Sequence, residues 1–94
     1  DTKPVSLKEA IAGDLIIEGG SPGHVITIVD VIVNKTTGVK KYMLAQSYMP
    51  AQEQYILLNE EDPKTAWFEF KEGEDIETPG WLFSSNSIKR FKNN

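Results

Sequence analysis

The sequence predicts an α+β domain, mainly β: a small antiparallel sheet or half-open barrel of about six strands, with one short helix at its N-terminal edge. Three observations carry this. A capping-box pattern, Ser6-Leu7-Lys8-Glu9, leads into Ala10-Ile11-Ala12 and is stopped by Gly13. Short apolar or alternating runs fill the rest of the chain. Gly, Pro and Asn clusters of hairpin length separate them.

In chain order, Ser6 is the expected N-cap and Glu9 the third helical residue of that helix. Leu15-Ile16-Ile17 reads as a short strand. The Gly19-Gly20-Ser21-Pro22-Gly23 loop follows, rich in residues that permit unusual backbone angles or close approach. His24 to Val33 is a long β-branched run, apolar on both faces, so it should be central and covered on both sides. Asn34 to Gly38 is a hairpin loop, and Lys41 to Ser47 is the returning strand. Met49-Pro50-Ala51 ends that strand, and Tyr55 to Leu58 forms another. Asn59 to Lys64 is an acidic turn, and Trp67 to Phe70 alternates as a strand would. Glu72 to Thr78 is acidic and loop-like. Pro79-Gly80 turns into Trp81-Leu82-Phe83, and Ile88 to Phe91 closes the pattern.

The 94 residues suffice for one domain, and no linker or internal repeat divides them. Apolar residues make up 39% of the chain, and no apolar run approaches the roughly 20 residues that span a bilayer. Ten basic and fourteen acidic residues leave a net charge of −4, which argues against nucleic acid as a partner. The absence of cysteine excludes disulfides, Cys-ligated metals and thiol chemistry within these residues. One histidine with scattered carboxylates lacks the ligand spacing of a zinc or calcium site, so neither metal nor cofactor is expected. The chain opens on Asp1-Thr2-Lys3-Pro4 without a signal peptide, as a mature form or a piece of a longer protein would.

His24 is the only histidine and opens the central strand directly after the glycine-rich loop. A histidine there is held firmly yet reachable, which suits either a general base or a structural hydrogen bond to the loop. Asp30 lies further along the same expected face, roughly 20 Å away, too far to orient it. Gln46 is the better partner. A hairpin centred between Thr36 and Thr37 brings positions 24 and 46 close to opposite each other, and an amide can fix the tautomer and direction of an imidazole. Gln46 could equally satisfy backbone groups near the loop. Ser47 points to the other face from Gln46 and is a poor nucleophile for His24. A cleft formed by Ser21, Gly23, Ser47, Tyr48 and Gln52 is the candidate substrate-binding surface. Asp14 reads as a local acceptor for loop amides. Trp67, Phe68, Phe70, Trp81 and Phe83 read as core rather than as ligand platforms.

Three runs together carry a resemblance: Gly13-Asp14-Leu15-Ile16-Ile17, Gly19-Gly20-Ser21-Pro22-Gly23-His24, and Leu44-Ala45-Gln46-Ser47-Tyr48-Met49-Pro50-Ala51-Gln52. With Thr78-Pro79-Gly80-Trp81-Leu82-Phe83 and Ile88-Lys89-Arg90-Phe91, they resemble an uncharacterised bacterial domain-of-unknown-function family. That family often has Glu in place of Gly80. More distantly, the Gly-Asp strand and the Gly-His-Val strand opening are similar to NlpC-type cell-wall peptidases of papain-like fold.

The second resemblance implies the C-terminal half of such a fold, with His24 in the base position and Gln46 in the third position. It implies a cysteine-type amidase or peptidase of the bacterial cell envelope, periplasmic or a surface lipoprotein. Its substrate would be a peptidoglycan-derived peptide or another amide. The nucleophile would come from a missing N-terminal region of the same protein. Without it the residues would be inactive alone, and the alternative is a non-catalytic module that binds a ligand or partner.

Overall fold

The computed structural model describes residues 2–18, 24–47, 54–59 and 66–92; the side chains of His24, Ser47 and Gln54 lie outside the description. These residues form nine strands: β1 Thr2–Pro4, β2 Leu15–Glu18, β3 His24–Val33, β4 Lys40–Ser47, β5 Gln54–Ile56, β6 Trp67–Phe68, β7 Ile76–Thr78, β8 Trp81–Phe83 and β9 Ile88–Phe91. The main sheet is antiparallel, in the order β1-β9-β2-β3-β4-β5, with β6 also pairing to β4. The outer edge of β4 is therefore shared. Ala45 to Ser47 pair with β5, while Tyr42 and Met43 pair with β6. Strands β7 and β8 form a separate two-stranded ribbon.

The expected α+β class is overturned: this is an all-β, sandwich-like domain. The α+β half-fold implied by the distant resemblance is not what these residues form. In place of the N-terminal helix there is a single 3-10 turn, Leu7–Glu9. The capping box is spent on itself, since the Ser6 hydroxyl donates to the Glu9 carboxylate at 3.1 Å and makes no cap bond to the backbone. Ala10 is already extended, at φ −64° and ψ 138°. The Ile11 N–H donates to Asp14 Oδ2 at 2.8 Å, so the next turn has lost its donor. So short a segment has little helical stability of its own, and tertiary bonds decide its shape. Gly13 turns the chain at φ 97°, a left-handed angle that a side chain resists.

The core lies on one face of the main sheet. Ile16, Ile26, Ile28, Tyr42, Leu44 and Ile88 project from it and are buried. Leu7 and Ala10 close one side, and Ile76 and Phe83 of the ribbon cover it as a second layer. Phe68 joins the same cluster, Phe70 packs at its margin, and Trp81 is partly exposed, so only some of the aromatics are core as expected. Strand β3 is central, between β2 and β4, as expected. It is not covered on both faces: Val25 and Ile32 are each 44% exposed.

The register of β3 against β4 shifts between Ile28 and Asp30, the mark of a bulge. Asp30 consequently leaves the face of Ile26 and Ile28 and is exposed, where unbroken alternation predicts the same face. The hairpin tip is built as its sequence suggests. Asn34 Oδ1 accepts the N–H groups of Thr36 at 2.8 Å and Thr37 at 3.1 Å, and Gly38 takes φ 79°.

Candidate functional site

The strands converge on one end of the main sheet. Glu18, which ends β2, pairs with His24, which opens β3. Ile26 pairs with Gln46, and Ser47, which ends β4, pairs with Gln54, which opens β5. Glu18, His24, Ser47 and Gln54 therefore all stand at the same sheet end. The two sequence runs that supply the candidate residues start or finish there.

Gln46 is 5% exposed, one of the few buried polar residues among those described. It sits on the core face beside Ile26 and Leu44. Its cross-strand partner is Ile26, not His24 as the loop-midpoint arithmetic suggests. The tip is centred as expected, with Val33 opposite Lys40; that register alone would set Gln46 opposite Thr27, and the bulge between Ile28 and Asp30 moves it to Ile26. Positions 24 and 46 are thus diagonal neighbours on one face. Such pairs are typically about 7–8 Å apart, within reach of long side chains. Ser21, Gly23, Tyr48 and Gln52 lie outside the described residues, as do the side chains of His24 and Ser47.

A second polar assembly supports the start of β2. Asp14 is 1% exposed, and its carboxylate accepts from Arg90 Nε at 2.7 Å, from Arg90 Nη2 at 2.9 Å and from the Ile11 N–H at 2.8 Å. Arg90 Nη2 also donates to the Glu9 carbonyl at 3.1 Å. Burial pushes the Asp14 carboxyl pKa up, but the Arg90 hydrogen bonds, the Ile11 N–H and the positive charges of Arg90 and Lys3 outweigh it and hold the pKa below its ordinary value. The expected role of Asp14, an acceptor for loop amides, describes the Ile11 bond. Arg90 was not foreseeable from spacing: it lies 76 residues away, in the run that closes the strand pattern.

The backbone ties the same corner to β3, through Gly13 N–H to the Ile28 carbonyl and Ile28 N–H to the Asp14 carbonyl, both at 2.8 Å. In the same N-terminal turn whose Glu9 carbonyl Arg90 holds, the Leu7 carbonyl accepts from the Tyr42 hydroxyl at 3.0 Å. Burial, and then the charge of Glu72, raise the Tyr42 pKa. Lys40 Nζ donates to the flanking carbonyls of the turn, Lys8 at 2.8 Å and Ala10 at 3.1 Å.

Among the described residues, no three His, Asp or Glu side chains gather as a metal ion would need. No helix among them is long and apolar enough to cross a membrane. Two grooves lie elsewhere. One runs between Val5, Leu7 and Ile76, the other past Phe68, Phe70 and Thr78, and neither includes position 24 or 46. What the sheet end can offer chemically is a histidine position at a strand start, diagonal in register to a buried glutamine. A cysteine is not among the 94 residues.

A family model described as a domain of unknown function (4846) matches residues 1–90. No curated protein and no solved structure matches the chain.

Proposed function

The chain belongs to the DUF4846 family, whose model spans both runs at the sheet end, and we propose that it carries the histidine-bearing part of a cysteine-type amidase or peptidase of the bacterial cell envelope. His24 is the base and Gln46 the residue that orients it. The similarity to NlpC-type cell-wall peptidases belongs to this reading, as does a peptidoglycan-derived peptide as substrate. The observation that supports it most directly is the register: a buried glutamine on the core face, diagonal to the histidine position at one sheet end.

In this chemistry the imidazole takes the proton of a thiol, and the thiolate attacks the amide carbonyl. The thiol has to come from outside residues 1–94. Ser21, Gly23, Ser47, Tyr48 and Gln52 are proposed to line the substrate cleft.

The test uses the protein as its gene encodes it, assayed on peptidoglycan fragments. His24→Ala should lower the rate by at least about 100-fold, the scale of a lost general base. Gln46→Ala should lower kcat less, while urea titration shows the variant folded. Full activity in His24→Ala, or no hydrolysis by the parent protein, overturns the reading.

The absence of any cysteine from the 94 residues favours a second reading, a non-catalytic envelope module that binds a ligand or partner around the Tyr48 to Gln54 run. It predicts that peptidoglycan fragments bind, by calorimetry, without being cleaved. A cysteine that cross-links to a His24→Cys variant under mild oxidation counts against it.

A further inference from the structure

We draw no further inference here: the strongest candidate, the apolar outer face of the main sheet around Ile17, Val25 and Ile56, carries none because nothing in the structure shows what covers it.

Discussion

Replacing Asp14 with Asn tests the account of the buried ion pair most sharply. The two side chains are nearly the same size, so packing is little disturbed. At the Oδ2 place the amide oxygen can still accept from the Ile11 N–H and Arg90 Nη2, but the amide nitrogen must then face Arg90 Nε, a donor that the carboxylate now accepts. Arg90 loses a two-pronged acceptor, with bonds of 2.7 and 2.9 Å, and keeps at most one neutral bond. Hydrogen bonds to charged groups contribute about 1.5–3 kcal/mol each, yet they are not additive. The Arg90 side chain is 31% exposed, so water screens part of the interaction. We therefore expect a loss of about 2 kcal/mol at pH 7. For a domain of this size that is a fall in Tm of roughly 8–16 °C.

Urea titration followed by tryptophan fluorescence would measure it, with the slope unchanged if only stability has moved. The pH dependence has a defined sign. Because the folded pKa lies below the ordinary 3.8, the charge contributes stability above that value and loses it as pH falls through the folded pKa. The parent and Asp14→Asn curves should converge only as pH falls below the folded pKa, itself under 3.8, where the Asp14 carboxyl is neutral too. A variant within about 0.5 kcal/mol of the parent at pH 7 would refute the reasoning, because so small a change is ordinary for a surface substitution. So would a difference that persists unchanged into acid.

Further outcomes follow from the same structure. Tyr42→Phe leaves the Leu7 carbonyl without its donor in a buried place and should cost about 1–2 kcal/mol by denaturant titration. Since the Tyr42 pKa is raised above 10.0, the parent should lose stability as pH rises from that value through the folded pKa, and Tyr42→Phe should lack this alkaline loss. Leu44→Ala opens a cavity in the centre of the sheet and should cost about 2–5 kcal/mol in the same titration. Gly38→Ala forces a side chain to φ 79° and should cost about 1–2 kcal/mol, although nothing crowds the added carbon. Unchanged stability in Gly38→Ala would mean that the hairpin tip can take another turn.

The long strands were legible because local pattern and final environment agree. His24 to Val33 is β-branched at every position except His24 and Asp30, and its hairpin loop carries the Asn and Gly that the turn uses. The N-terminal turn was not legible, because Ser6 and Glu9 do present a capping box. What defeats it is Asp14, buried by Arg90 from the other end of the chain, which takes the Ile11 N–H. Strands β1 and β7 were hidden for a related reason. Thr2-Lys3-Pro4 has no apolar period and becomes a strand only because β9 offers it an edge, where Pro is tolerated. Ile76-Glu77-Thr78 sits in an acidic stretch and is held by Trp81 to Phe83. At the candidate site, the residue types and the strand end were readable. The pairing was not: the loop centre between residues 36 and 37 already places 46 further in than position 24, and the bulge between Ile28 and Asp30, which no local pattern announces, sets the final register.

The placement of β9 has a consequence for how the chain is made. This strand lies between β1 and β2, and it delivers Ile88 to the core and Arg90 to Asp14. A nascent chain leaving the ribosome can form the β3–β4 hairpin early, from neighbours in sequence. It cannot neutralise the buried carboxylate, or join β1 to β2, until residue 90 has emerged. Closing so long a loop is slow compared with forming a hairpin. Residues through Arg90 must thus be made before the fold can close, and a translation product that stops short of Ile88 would leave the Asp14 carboxylate without its Arg90 partner, a form that quality-control proteases can reach.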